Sequence, residues 1–374
     1  LEFRRVLFRS LLHCTSVLEK RSLLQSWTVI LAICTFVLSM SGTFLVRSGI
    51  LNSVHTFAND PERGVFVLIF LAILVLISLI IYFKFDNSDK VNKSFFLSKE
   101  SAIVINNWFM MYFLAVVLIG TTYPIFLEVI ANEKISVGPP YFNQLIIPFL
   151  IPFLLIMALG PKLDWIKNKK VQINWKKIIL FVLSILISFL IARHLGSKIL
   201  YLTVLISVAL YLFFISIIDL KNEKLKSSQK ISHLAFSILI ISIILNSIFS
   251  EEVSVNLKTG QERQVSKYLI KFEKISKVEI DNYTSLKAEI EVSQSDKKLK
   301  FYPELRLYKV PETITSEADI KTNLLNDNLV VVNYLKDTDY LNIRYQKKPF
   351  MLLIWSSAIL LGIGGLLGLR KNYK

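Results

Sequence analysis

The side chains best suited to chemistry in this sequence are four histidines: His13, His55, His194 and His233. A neutral imidazole nitrogen is a common metal ligand, and the ring exchanges protons near neutral pH. His13 lies six residues before Glu19-Lys20-Arg21, and His233 three residues after Lys230. Each basic group marks the end of a long apolar stretch, so the two rings are expected at comparable depth on separate membrane helices. Ionisable groups inside a bilayer are costly and usually face the bundle interior, which makes both functional candidates. Two imidazoles at one depth can hold a haem iron from both faces as axial ligands. The other reading is two interfacial histidines, each hydrogen-bonded to a neighbouring helix or to lipid headgroups.

His55 stands apart, in the polar stretch between Arg47 and Arg63. As a ligand it would act at the outer surface; otherwise it is a solvated loop residue. His194 borders a short turn with Gly196 and Ser197 and reads as structural. The two cysteines, Cys14 and Cys34, offer neither a CxxC site nor a disulfide framework. Both lie in apolar helical stretches and read as small packing residues.

The elements that must position these groups are membrane spans. Of the 374 residues, 53% are hydrophobic, gathered into long Ile/Leu/Phe/Val blocks. Roughly 20 such residues cross the ~30 Å hydrocarbon layer as a helix. Spans are expected at about 27–46, 64–83, 104–127, 145–160, 178–193, 199–218, 232–249 and 349–369. Residues 11–19 read as the end of a further helix, and the stretch around Pro148 and Pro152 as a broken one. The first ten residues, LEFRRVLFRS, look foreign and are set aside as a non-native scar, which suggests a truncated chain.

The formal net charge of +16 would suit nucleic acid, but its placement argues otherwise. Nineteen Lys and Arg residues fall in alternate short loops and the C-terminal tail, against five in the loops between them. Basic loops stay cytoplasmic, which orients the set. Residues 250–348 are then non-cytoplasmic. They carry seventeen basic and sixteen acidic residues and alternating stretches at 268–272, 285–292, 299–308 and 329–334. The expected fold is an all-α polytopic membrane protein, with about eight spans and a partial one, carrying a small β-rich domain. Its divisions are a helical bundle at 11–249, the β-rich domain at 250–348, and a last span with its tail at 349–374. A soluble nucleic-acid binder is excluded by the apolar blocks.

One constellation is specific. Gly42-Thr-Phe-Leu-Val-Arg-Ser-Gly49 is followed by Ser53-Val-His55-Thr-Phe-Ala-Asn-Asp60-Pro-Glu-Arg63-Gly64. Together with His13 through Arg21, Ser98-Lys-Glu-Ser101, Ser136-Val-Gly-Pro-Pro-Tyr-Phe-Asn143 and Ser232-His233-Leu234, it resembles the cytochrome c maturation family CcmF from residue 11 to the C-terminus. The resemblance implies a haem lyase of the bacterial inner membrane, with 250–348 periplasmic, joining haem to the CxxCH cysteines of an apocytochrome c. It further implies that His13 and His233 hold a haem b across the membrane. His55 would ligate the delivered haem, the substrate, in the catalytic place. Arg47, Asp60 and Arg63 belong to the motif without an assigned role; Arg47 suits a haem propionate or simply anchors its loop at the membrane edge. Implied partners are the haem chaperone, the apocytochrome-handling maturation proteins, apocytochrome c and membrane lipid. The tryptophan-rich haem-handling segment and a second outside histidine, which the family carries upstream, are not in this sequence. Two other classes compete: a transporter of haem or a small molecule, and a non-catalytic assembly scaffold working through 250–348.

Overall fold

Eight helices of the computed structural model are long and apolar enough to cross a membrane. The structure describes residues 3–47, 61–85, 98–131, 133, 135–165, 175–195, 200–223, 225–295, 297–309, 312–335 and 338–369. They divide into two units, residues 1–215 and 216–374.

The first unit is helical: α1 (Phe3–Arg21), α2 (Gln25–Arg47), α3 (Pro61–Phe85), α4 (Lys99–Ala131), α5 (Pro139–Leu159), α6 (Trp175–Leu195) and most of α7 (Leu200–Asp219). The helix expected at 11–19 begins at Phe3, inside the ten residues set aside. Leu7 there is fully buried in a cluster with Cys14, Leu31 and Leu114. Through this cluster α1 packs on α2 and α4. The Asn107 side-chain NH2 on α4 donates to Cys14 Sγ at 3.2 Å. Ser98 caps α4, its Oγ accepting the Ser101 backbone N–H at 3.2 Å.

The expected break in the fourth span is corrected: α5 runs unbroken through Pro148 and Pro152. A proline leaves the carbonyl four residues before it without its N–H partner, in α5 those of Gln144 and Pro148. Here Tyr112 of α4 stacks on Phe149 at 4.1 Å and donates its hydroxyl to the Leu145 carbonyl at 2.9 Å, within the Pro148 turn. Phe109 and Phe113 brace the next turn against Phe153.

The second unit holds α8 (Ser227–Phe249), ten strands and α9 (Met351–Leu369). The strands are β1 (Glu251–Leu257), β2 (Glu262–Val265), β3 (Tyr268–Ile280), β4 (Tyr283–Gln294), β5 (Lys297–Phe301), β6 (Glu304–Lys309), β7 (Glu312–Glu317), β8 (Asp319–Thr322), β9 (Asn326–Tyr334) and β10 (Leu341–Pro349). One sheet runs β1-β10-β9-β8; the other runs β2-β3-β4-β6-β7, with β5 paired to β4. Alternate residues of both sheets meet in one core, including Val255, Ile343, Val330 and Val332 from the first and Ile270, Phe272, Ile290 and Phe301 from the second. The stretch read as one strand at 299–308 is two, separated by Pro303, which has no N–H to offer a ladder. The sheet faces also carry ion pairs, with Lys300 reaching Glu273 at 3.3 Å and Glu289 at 3.1 Å. At the base, Glu251 accepts from Lys267 at 2.7 Å and Tyr268 at 2.8 Å. Burial works against its charge, but those two hydrogen bonds prevail and hold its carboxyl below the usual carboxylate range. Burial and the same carboxylate push the Tyr268 phenol well above its ordinary value.

Helices α8 and α9 form a tight hairpin around this domain's two chain connections. A Cβ added at Gly364 would lie 3.0 Å from the Ser232 backbone nitrogen and closer still to its hydroxyl, so only glycine fits. Ser357 on α9 and Ala235 on α8 are fully buried. Small residues let helix backbones approach where lipid supplies no hydrophobic drive between them.

Two outcomes test this architecture. Phe301→Ala removes a fully buried ring and is expected to cost about 3–5 kcal/mol of domain stability, read as a lower urea midpoint for the β-sheet signal; an unchanged midpoint would contradict the shared core. A Cβ at Gly368 would stand 3.7 Å from Ser228 Cβ, within the range a disulfide spans. Ser228→Cys with Gly368→Cys, in a Cys14→Ala, Cys34→Ala background, is therefore expected to lose both maleimide-reactive thiols on oxidation. Adding Gly364→Leu should restore them.

Candidate functional site

His13 sits on α1 with its side chain exposed, beside a buried face made by Leu7, Ser10, Cys14 and Val17. That spacing of three and four residues is the helical repeat. It turns Cys14 inward to Asn107 and leaves His13 on the adjoining flank. Arg9, one turn away, shares its side of the helix. The rotation of α1 is thus set by contacts that do not involve the imidazole. Asn107 Oδ1 and the Ser10 hydroxyl are buried without a hydrogen-bond partner among the described residues, so the interior beside this turn is polar.

His233 is half-buried on α8. It directly follows Ser232, whose backbone is the surface against which Gly364 closes. One residue along a helix is a rotation of about 100°, so α9 grips one side of the turn while the imidazole leaves on another. Just below, Lys230 reaches back to the Leu220 carbonyl at 3.0 Å and ties the start of α8 to the preceding turn.

The sequence singled out both histidines; His233 lies on α8, one of the eight helices long and apolar enough to cross a membrane, whereas His13 lies on α1, which is not among them. They belong to different units, His13 to the first and His233 to the second. Arg47 closes α2 and Arg63 lies in the first turn of α3, but their side chains are outside the described residues. His55 and Asp60 are outside the described residues altogether, as is the side chain of His194. Cys14 and Cys34 are free thiols, the first buried and the second half-buried, as packing residues would be.

Among the described residues, no three or more His, Cys, Asp or Glu side chains gather as a metal site would require. His13 and His233 are instead single imidazoles on separate helices. A single imidazole nitrogen is the kind of donor that a haem iron takes as an axial ligand. The groove of about 240 Å³ between α2 and α3, lined by residues such as Phe36, Leu74 and Val75, is apolar and open and offers no ligand. What the sequence reading missed is the packing that aims the histidines: the Asn107–Cys14 contact and the Gly364–Ser232 approach. The second had a legible signal, the Gly364-x-x-x-Gly368 spacing in an apolar span.

Residues 248–349, the two-sheet domain, match the family described as the CcmF C-terminal beta-sandwich. The chain is 32% identical over 387 residues to the cytochrome c-type biogenesis protein CcmF of Pseudomonas aeruginosa, covering 98% of this chain and 58% of that protein. It is 29% identical over 370 residues to the protein of the same name from Escherichia coli, covering 96% and 57%. The solved structure titled cytochrome c heme lyase CcmF has the same fold, with a TM-score of 0.74 at 18% identity, covering 98% of this chain and 58% of that one. The chain thus spans a little over half the length of these relatives. With its apolar helices, its sandwich placed before the last helix, and similarity running almost end to end, this multi-pass membrane protein belongs to the CcmF family of cytochrome c-type biogenesis proteins.

Proposed function

We propose that this chain is the haem-binding membrane component of a haem lyase, which joins haem to the CxxCH cysteines of an apocytochrome c. The observation that carries the reading is the placement of single imidazoles on rigidly packed helices of a CcmF-family chain: His13 beside the Cys14–Asn107 contact and His233 beside the Ser232–Gly364 contact.

In this reading His13 and His233 each offer a neutral nitrogen to one face of a resident haem b. When bound there, that group supplies one-electron chemistry, which suits keeping the delivered haem ferrous. Both helices are held by contacts at the residue next to each histidine, so the direction in which each side chain leaves its helix is set before any ligand arrives. His55 ligates the substrate haem at the outer surface, and Arg47 offers its guanidinium to a propionate. Held this way, each vinyl of the substrate meets one cysteine thiol. Sulfur adds to one vinyl carbon and the thiol proton to the other, so the step balances with no oxidant. The histidine of the CxxCH segment then displaces an enzyme ligand and the product leaves. The chain would act in the bacterial inner membrane, with residues 250–348 periplasmic, alongside the haem chaperone and the proteins that present apocytochrome.

The two histidine classes separate experimentally. Replacing His233→Ala in the complete protein is expected to abolish the reduced b-type absorption band, and an unchanged spectrum would overturn the ligand role. His55→Ala is expected to abolish cytochrome c assembly while the b-type band persists; normal assembly would remove His55 from the reaction.

A further inference from the structure

Leu324 and Leu325, in the turn between β8 and β9, are 82% and 72% exposed, and Leu324 is the most exposed large apolar side chain among the described residues. Such a pair at the tip of a polar sandwich needs a partner. Their place in the fold indicates which. The Leu325 carbonyl accepts the backbone N–H of Phe350 at 2.9 Å, and Phe350 is the residue immediately before α9. Phe350 holds a left-handed conformation, φ +63°. It is fixed there by the Leu325 bond and by ring contact with Phe249, the last residue of α8. The Asn246 side chain donates to the adjoining Pro349 carbonyl. The turn therefore lies level with the ends of two helices that can cross a membrane.

The turn is also chemically fit to leave water. Asn323 Oδ1 accepts the N–H groups of Leu325 and Asn326, both at 2.9 Å, and the Asn323 N–H donates to the Asn326 carbonyl at 3.0 Å. The Asn323 side-chain NH2 donates to Asn326 Oδ1 at 3.1 Å. Three backbone donors at the tip, those of Asn323, Leu325 and Asn326, are thus satisfied within it, which lowers the cost of leaving water.

We propose that the β8–β9 turn is a membrane anchor of the sandwich, with Leu324 and Leu325 seated among lipid acyl chains beside the first turn of α9. The partner is the bilayer itself, because the turn is continuous with the point where α9 enters it. The inference stands independently of the haem reading.

The test uses the whole chain in phosphatidylcholine–phosphatidylglycerol vesicles, in the Cys14→Ala, Cys34→Ala background. Leu324→Cys, and separately Leu325→Cys, carry an environment-sensitive NBD label. Asp339→Cys, at a side chain 87% exposed, serves as the aqueous control. The expected result is blue-shifted emission at both leucine positions, lost with acyl-chain nitroxide lipids and kept with aqueous iodide, while the Asp339 label shows the reverse. Quenching of the leucine labels by iodide would overturn the proposal. So would insensitivity to both quenchers, which would mean that protein, such as a second copy of this chain, covers the turn.

Discussion

The structure depends on one constraint: in hydrocarbon, a backbone N–H or C=O has no water to turn to and must be satisfied by the chain itself. Helices meet that demand internally, and polar side chains along them add further bonds to backbone carbonyls. Tyr112 reaches the Leu145 carbonyl in the turn of Pro148. Asn246 reaches the Pro349 carbonyl where β10 gives way to α9. Threonines along α2 and α4 return their hydroxyls to carbonyls one turn back, as Thr35 does to Leu31 and Thr122 to Leu118. Where the chain needs irregular or two-sheet structure it forms a sandwich whose own ladders and closed core satisfy the same demand differently.

Close packing between helices follows from the same solvent. Lipid tails are as apolar as leucine, so association rests on contact and on a few buried polar bonds. Gly364 at the Ser232 backbone is one such contact, and Gly120, whose missing Cβ is occupied by the rings of Tyr141 and Phe142, is another. The Asn107–Cys14 bond is of the polar kind. These contacts have a directional result. A helix gripped at one point can neither rotate nor slide, and every side chain on its other faces inherits that fixed bearing.

The spans were legible because twenty apolar residues without amphipathic period have few soluble uses. Six of the eight were read to start two to six residues late, since polar residues such as Lys99 and Glu100 continue a helix past the hydrocarbon. The strands were legible in part. β10 went unread although Leu341, Ile343 and Tyr345 alternate with Asn342, Arg344 and Gln346 as a half-buried strand should. β7 and β8 lie at sheet edges, mostly exposed, and carry almost no apolar signal. Nearby charges led to an expected depth for His13 and His233. Their rotation about each helix axis could not be read, because it is set by Cys14 meeting Asn107 and by Ser232 meeting Gly364, contacts across 93 residues in the first case.

That division between depth and bearing has a consequence for any ligand held by such side chains. A binding pair whose rings were oriented only by each other would lose its geometry whenever the ligand left, and each new binding event would bear the ordering entropy again. Here the orienting contacts lie on neighbouring faces, one residue away from each histidine, and persist without a ligand. They are also apolar or neutral in character, so they add no charge beside a nitrogen that must remain neutral to ligate. A small residue at 364 and an amide at 107 are therefore as much a part of the arrangement as the imidazoles, although neither has chemistry of its own to offer.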